Sequence, residues 1–213
     1  RVDLVLHCAA IVPVSYVENN KSYAYRLNVF GTGTLLLGLQ EAYIGEMPEI
    51  FYLSTGHVYA SCNRDLITED SPIRPRNFYA MTKYLGEQQV LNFSKYGKLD
   101  FAIARIFSVF SEEQSREFLY GNLREKLSNN PAHMVDLYGY NNIRNFLHVD
   151  RLVNILQLLI DSDFSGLVNV ASDENITVEE FARQQFGEDI NLNLIGSEVP
   201  DHIAVDNSLL RRL

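Results

Sequence analysis

Tyr79 and Lys83 stand four residues apart in Tyr79-Ala80-Met81-Thr82-Lys83, a spacing that puts a phenol and an ammonium on one face of a helix. A Lys charge ~5 Å from a phenolate is worth roughly 3 kcal/mol at an effective dielectric of ~20. That attraction predicts a Tyr79 pKa lowered from about 10 to about 8. A Tyr tuned in this way can take a proton from a hydroxyl at neutral pH. With twelve Tyr in the chain the spacing also arises by chance, so it needs company.

Three further segments supply it. Ser54-Thr55-Gly56-His57-Val58-Tyr59 follows the apolar run Ile50–Leu53. Leu53, Ser54 and Thr55 therefore fall at the carboxyl end of a strand, where ligands bind in parallel sheets, although an ordinary Ser/Thr turn reads the same. Asn28, in Asn28-Val29-Phe30-Gly31-Thr32, interrupts a helical pattern and asks for a hydrogen bond to neighbouring backbone or to an ordered water. Gly31 and Gly33 predict close packing of that helix on the sheet. In Ile143-Arg144-Asn145-Phe146-Leu147-His148-Val149-Asp150, Arg144 can hold a phosphate bidentately, whereas His148 in an apolar strand reads as a satisfied core histidine. His7, His57, His133 and His202 show no ligand spacing, so no metal is expected.

These side chains need a scaffold that alternates strand and helix. Val2–Leu6 running into Cys8-Ala9-Ala10 predicts a buried parallel strand and tight turn, and Tyr23–Ala42 a helix whose Leu35-Leu36-Leu37 stripe can serve two contacts. Ile50–Leu53, Tyr79–Phe93 and Phe101–Arg105 continue as strand, helix and strand, the pattern of a doubly wound parallel α/β sheet. Beyond Ser111 the rhythm changes: a helix over Ser115–Leu127, turn residues at Asn129-Asn130-Pro131, then Tyr138-Gly139-Tyr140. A strand over Asn145–Val149, a helix over Asp150–Ile160, a strand over Leu167–Val170 and a helix from Thr177 to Phe186 complete the reading. Thr177 with Glu180 fits a capping box. The expected organisation is a Rossmann-like domain, 1–110 and 143–173, with a smaller mixed α/β lobe, 111–142 and 174–213, and an active site between them.

Composition narrows the classes. Hydrophobic residues at 46% and charged residues at 21% describe a globular chain, and no apolar run approaches the roughly 18 residues of a membrane span. A net charge of −9 repels polyanions, which argues against nucleic-acid binding. Cys8 and Cys62 are too few for a disulfide framework, so the cytoplasm is the default compartment.

Taken in order, seven segments resemble the extended short-chain dehydrogenase/reductase superfamily, in its NAD-dependent sugar-nucleotide epimerase/dehydratase branch. Asp3-Leu4-Val5-Leu6-His7-Cys8-Ala9-Ala10 looks like the family's strand and turn beside the cofactor adenosine, and Asn28–Thr32 like its N-V-x-G-T helix. Thr55 before Val58-Tyr59 occupies the place of its Ser/Thr, and Tyr79 with Lys83 matches Y-x-x-x-K. Arg105-Ile106-Phe107-Ser108-Val109-Phe110, Arg144–Asp150 and Val168-Asn169-Val170-Ala171-Ser172 resemble R-x-F-N-V-Y, R-D-F-I-H-V-D and Y-N-V-G-S. The resemblance implies that Tyr79 is the acid/base, aided by Thr55, while Lys83 holds the nicotinamide ribose and depresses the Tyr79 pKa, and Asn28 joins their hydrogen-bond network. It implies that Cys8, Ala9, Ala10, Leu53, Ser54 and Ile106 line NAD, with NADP left open. It also implies that Ser108 and Arg144 face a nucleotide-sugar diphosphate, and that two copies pair through Tyr23–Ala42 and Tyr79–Phe93 as a homodimer.

The departures shape the reading. The family's glycine-rich pyrophosphate turn is expected upstream of Arg1, which makes the chain an expected N-terminal truncation. Gly56-His57 replaces the Asp-Glu pair of the 4,6-dehydratases, which argues against that reaction. Ser108 stands where Asn is commoner, and Gly196-Ser197-Glu198-Val199 falls where many relatives carry R-P-G-D with a phosphate-binding Arg. The leading expectation is 4-epimerisation: hydride leaves C4 for NAD as Tyr79 takes the hydroxyl proton, the 4-keto sugar turns over, and hydride returns to the other face. A 4-keto-sugar reductase uses the same Thr55, Tyr79 and Lys83, and His57 could serve either as an auxiliary acid. A catalytically silent NAD-sensing or scaffold protein is the reading from another class.

Overall fold

Ile50-Phe51-Tyr52 and Ala102-Ile103-Ala104 offer no polar position to water, a pattern that demands cover on both faces. In the computed structural model, which describes residues 2–43, 45, 47–60, 65–97, 99–129 and 134–213, all six are 0% exposed at the centre of a parallel sheet. Cys62, His133 and the Asn130-Pro131 turn lie outside the described residues.

The chain runs β1 (Leu4–His7), α1 (Val14–Asn19), α2 (Lys21–Tyr25), a π-helical turn (Arg26–Gly31), α3 (Thr32–Ala42), β2 (Glu49–Thr55), α4 (Phe78–Gly97) and β3 (Phe101–Ile106). It continues through β4 (Ser108–Phe110), α5 (Leu119–Asn129), β5 (Val135–Tyr138), β6 (Ile143–Arg144), β7 (Phe146–His148) and α6 (Val149–Asp161). β8 (Gly166–Val170), β9 (Ile176–Thr177), α7 (Val178–Phe186) and β10 (Leu192–Ile195) follow. The main sheet is parallel throughout in the order β1-β2-β3-β8. Leu36 of α3 and Val90 of α4 pack on one face with Ile50, Tyr52 and Ile103. α6 covers the other through Leu152, Leu156 and Leu159, spaced for one helical stripe, against Phe51, Ala102, Ala104 and Val168. Helices on both faces of a parallel sheet make this an α/β, Rossmann-type arrangement.

The differences from expectation have local causes. β1 begins at Leu4 and borders only β2, so Leu6 is 41% exposed rather than buried. The helix expected over Tyr23–Ala42 starts at Lys21 and is interrupted by the π-helical turn. Gly33 packs against Gln89 of α4 and not on the sheet, while Gly31 is exposed. The helix expected from Ser115 starts at Leu119 after a turn, and the strand over Asn145–Val149 is β7 alone, its last residue opening α6. The pairing of β5 with β10 joins segments too far apart in sequence for a local pattern to reveal. Leu123, Val135, Leu137, Val178 and Ala182 form a separate small core between α5, β5 and α7. Thr177 caps α7 in the expected capping box.

Candidate active site

α4 carries the first pair of functional side chains on its buried stripe. Ala80, Lys83, Glu87 and Val90 recur at helical spacing, so two charged groups occupy the face that should be apolar. Lys83 is 2% exposed. Among the described residues its Nζ finds no oxygen partner and rests 4.1 Å from the centre of the Tyr52 ring. Tyr52 also donates its hydroxyl to the Lys83 carbonyl, 3.3 Å away, below Gly86, where a methyl would collide with the phenol. Burial pulls the Lys83 pKa down to about 8, against the attraction of Glu87 and Cys8.

One turn earlier, Tyr79 is half-buried, and its hydroxyl makes no hydrogen bond among the described residues. Burial pushes its pKa up to about 12, which overturns the expected value near 8. The Coulomb argument counted the Lys83 charge and left out desolvation of the phenolate, and desolvation wins. Unliganded, Tyr79 is therefore protonated at neutral pH.

β2 ends in Ser54 and Thr55, both buried. Thr55 holds an extended backbone, and its Oγ1 accepts the main-chain N–H of His57 at 3.3 Å. The Ser54 hydroxyl donates to the buried Glu87 carboxylate. Arg105 binds the same carboxylate through Nε at 3.0 Å and Nη2 at 2.7 Å, and its Nη1 reaches the Tyr59 hydroxyl at 2.8 Å. The Tyr59 hydroxyl donates a hydrogen bond to Asn169 Oδ1 at 2.7 Å. Reading the sequence missed Glu87, although its place in the series 79, 83, 87 puts it on the face of the Tyr–Lys pair.

Asn28 lies in the π-helical turn at 1% exposure. Its Oδ1 accepts the Ile11 N–H at 2.8 Å and its Nδ2 donates to Thr82 Oγ1 at 3.0 Å. It thus ties the loop after β1 to α4 beside Lys83, the backbone role that an Asn within a helix called for. In that loop Cys8 is exposed and free, Ala9 is exposed and Ala10 half-buried. Leu53 and Ile106 are half-buried against the α6 core.

On the far side of Thr55 the charges differ from expectation. Arg144 is already bound: its Nη2 reaches Asp201 Oδ2 at 2.7 Å and its Nη1 the carbonyls of Ile143 and Asp201. Arg76 binds the other oxygen of Asp201 at 2.5 Å. Neither Arg76 nor Asp201 carried a sequence signal, since 125 residues separate them. His57 is half-buried, and burial followed by the Arg76 and Arg144 charges lowers its pKa to about 4. It is neutral at pH 7, and Asn77 Nδ2 lies 3.3 Å from its Nδ1. His148 is not a core histidine: Nε2 lies 3.1 Å from Glu112, and Nδ1 accepts the Asp150 N–H at the start of α6. Ser108 is half-buried on β4. The described residues hold no cluster of metal-ligating groups and no helix long and apolar enough to cross a membrane.

His7 and His57 make the pH dependence testable. Burial lowers both to about 4, so the unfolded chain takes up protons first as pH falls below 6.5. Their contribution is complete above pH 6.5 and is lost progressively toward pH 4. Urea unfolding across that range should show falling stability, and neither imidazole should titrate by NMR between pH 5.5 and 8. A His57 midpoint near 6.5 would contradict the burial.

The family model for GDP-mannose 4,6 dehydratase matches residues 1–211. A putative UDP-glucose 4-epimerase of Methanocaldococcus jannaschii is 27% identical over 184 residues, 84% of this chain and 58% of that protein. A dTDP-glucose 4,6-dehydratase of Streptomyces griseus is 32% identical over 149 residues, 70% of this chain and 44% of that one. The chain spans about half the length of the curated relatives it matches. In fold, it resembles UDP-glucuronic acid 4-epimerase from Bacillus cereus in complex with UDP-glucuronic acid and NAD, with a TM-score of 0.84 at 20% identity over 99% of this chain and 68% of that one. Motifs in register over nearly the whole length and a matching family model establish that the chain belongs to the GDP-mannose 4,6-dehydratase family, within the extended short-chain dehydrogenases/reductases.

Proposed function

We propose that the protein is an NAD-dependent nucleotide-sugar 4-epimerase, with Tyr79 as acid/base, Thr55 beside it and Lys83 as cofactor anchor. The observation that carries this reading is the buried Lys83 ammonium, which has donors to give and only an aromatic face beneath it. Such a group fits a ribose hydroxyl, and the small residues Cys8, Ala9 and Ala10 leave room for a nucleotide at the end of β1. When bound, NAD would supply the hydride acceptor and donor and, in its oxidised form, a positive charge. The phenolate takes the proton of the sugar O4 as a 4-keto sugar forms and returns it to O4 when the opposite face is reduced. Thr55 donates to the same oxygen. Lys83 favours the phenolate by its charge, and Asn28 keeps α4 in register with the loop after β1. Residues 111–142 and 174–213 form the substrate lobe in this reading.

Epimerisation is preferred over 4,6-dehydration because the two residues after Thr55 carry no carboxylate. At Gly56 a side chain is blocked as well: a methyl there would run into the Phe107 ring. Gly56→Ala should cost about 1–3 kcal/mol in urea unfolding through that overlap. A variant as stable as the wild type would show that the pocket can open at this point.

The cofactor test is direct. Protein purified without added nucleotide is denatured, and the supernatant is assayed for nicotinamide. Stoichiometric NAD supports the epimerase, which regenerates its cofactor in place. An empty protein that binds NADPH reversibly supports the 4-keto-sugar reductase, and no affinity for either supports a silent scaffold.

We also propose that two copies pair through α2–α3 and α4. Tyr23, Phe30 and Leu37 recur at seven-residue intervals and are 53%, 60% and 52% exposed. Leu37→Glu is expected to convert a dimer to monomers in analytical ultracentrifugation. A wild type that sediments as a monomer would refute the pairing.

A further inference from the structure

We propose that the buried Glu87–Arg105 pair is a positioning device that fixes Thr55 relative to Tyr79 and Lys83, gripping the threonine segment through Ser54 and Tyr59. The inference rests on the epimerase reading, in which Thr55 and Tyr79 meet one substrate oxygen, and gives the pair a task beyond stability.

The connectivity carries it. Ser54, immediately before Thr55, donates its hydroxyl to Glu87. Tyr59, four residues after Thr55, accepts Arg105 Nη1 at 2.8 Å. Arg105 closes the circuit by binding Glu87 through Nε at 3.0 Å and Nη2 at 2.7 Å. Both ends of segment 54–59 therefore terminate on one ion pair. Glu87 in turn follows Tyr79 by eight residues and Lys83 by four, on the same helix face. The Glu87 charge also supports the Lys83 ammonium. The place of Thr55 against the Tyr–Lys pair is thus set by directional bonds as well as by packing.

The chemistry of the pair points the same way. Burying two charges offsets much of their attraction, and an apolar pair of similar volume stabilises a core as well or better. What apolar side chains cannot do is aim. Glu87 collects one donor from β2 and two from β3, and the planar fork of Arg105 leaves Nη1 directed at Tyr59. Tyr59 is held further by Asn169 on β8 and by the near-parallel Phe107 ring, 6.3 Å away. Other bonds of the segment lead elsewhere: the His57 and Val58 carbonyls accept from the Arg76 and Arg74 N–H groups, ahead of α4. Thr55 Oγ1 accepts the His57 N–H, and among the described residues its own proton has no acceptor. A hydroxyl kept free for substrate needs its position fixed by its neighbours, since a shift of about 1 Å can cost about 10²-fold in rate.

Stability and geometry separate in one variant. Arg105→Met with Glu87→Leu restores apolar packing and removes every directional bond of the pair. Activity is read on whichever member of a UDP-, dTDP- and GDP-hexose panel the wild type turns over. The folded double variant should show kcat lowered about 10²-fold with KM within about twofold of wild type. Tyr59→Phe removes one oxygen and leaves the ion pair whole; it should lower kcat about tenfold and serves if the double variant does not fold. Amide hydrogen exchange by NMR supplies a readout independent of turnover. In either variant the His57 amide, bonded to Thr55, should speed up about tenfold more than the Ile103 amide at the sheet centre. A merely structural loss would speed both alike. Wild-type kcat in the folded double variant, or an unchanged His57-to-Ile103 exchange ratio in Tyr59→Phe, overturns the proposal. A segment loosened by Tyr59→Phe in a protein that turns over no nucleotide sugar would sink the enzymatic reading and leave the clamp standing.

Discussion

Tyr79→Phe is expected to lower kcat on the protein's nucleotide-sugar substrate by about 10²–10⁴-fold, the range for loss of a positioned acid/base. Substrate affinity and thermal midpoint should stay close to wild type. The substitution removes one oxygen, and that oxygen makes no hydrogen bond among the described residues, so nothing buried is left unpaired. This combination separates a catalytic role from a structural one. The protonated phenol of the unliganded site, held near pKa 12, adds a second expectation. Saturating NAD should move the ultraviolet titration of Tyr79, read as the difference between wild type and Tyr79→Phe, toward lower pH. Full turnover by Tyr79→Phe would remove the phenol from the mechanism.

The largest effect on stability is expected at Arg105. Its guanidinium and the Glu87 carboxylate are 5% and 0% exposed, and the carboxylate also accepts from Ser54. Removing one partner strands the other in a low-dielectric interior, which costs about 3–5 kcal/mol. Arg105→Met should therefore lower the unfolding free energy in urea by that amount. The double variant Arg105→Met with Glu87→Leu should recover most of the loss, because an apolar pair of similar volume can replace a buried ion pair. The Tyr59 hydroxyl would lose one donor in both variants, so recovery stops short of complete. An Arg105→Met protein within about 1 kcal/mol of wild type would mean that water reaches Glu87.

What the sequence made legible was the part of the site built by short-range periodicity. Tyr79 and Lys83 share a helix face because they are four residues apart, and Thr55 ends a strand because the apolar run before it ends there. Asn28 declared itself by being a poor helix residue in a helical pattern, and the structure gives it the backbone partner it needed. Glu87 stayed hidden because acids on amphipathic helices normally face water. Its partners Arg105 and Ser54 lie on strands β3 and β2, and only the fold brings them to this helix. Arg76 and Asp201 were invisible for a stronger reason, since no local pattern links residues so far apart. The same holds for β5 and β10, four-residue strands that find each other only in the folded chain. The misjudged Tyr79 pKa has a different origin: a pairwise Coulomb estimate contains no burial, and burial dominates the site.

The most direct measurement follows an isotope. A panel of UDP-, dTDP- and GDP-hexoses carrying deuterium at C4 is incubated with the NAD-loaded protein, and the products are read by NMR and mass spectrometry. Epimerisation at C4 predicts interconversion of the two C4 epimers for at least one member, with deuterium retained at C4 and no net change in the amount of reduced nicotinamide. Loss of C4 deuterium to solvent during interconversion, or stoichiometric accumulation of a 4-keto sugar with reduced cofactor, would contradict it.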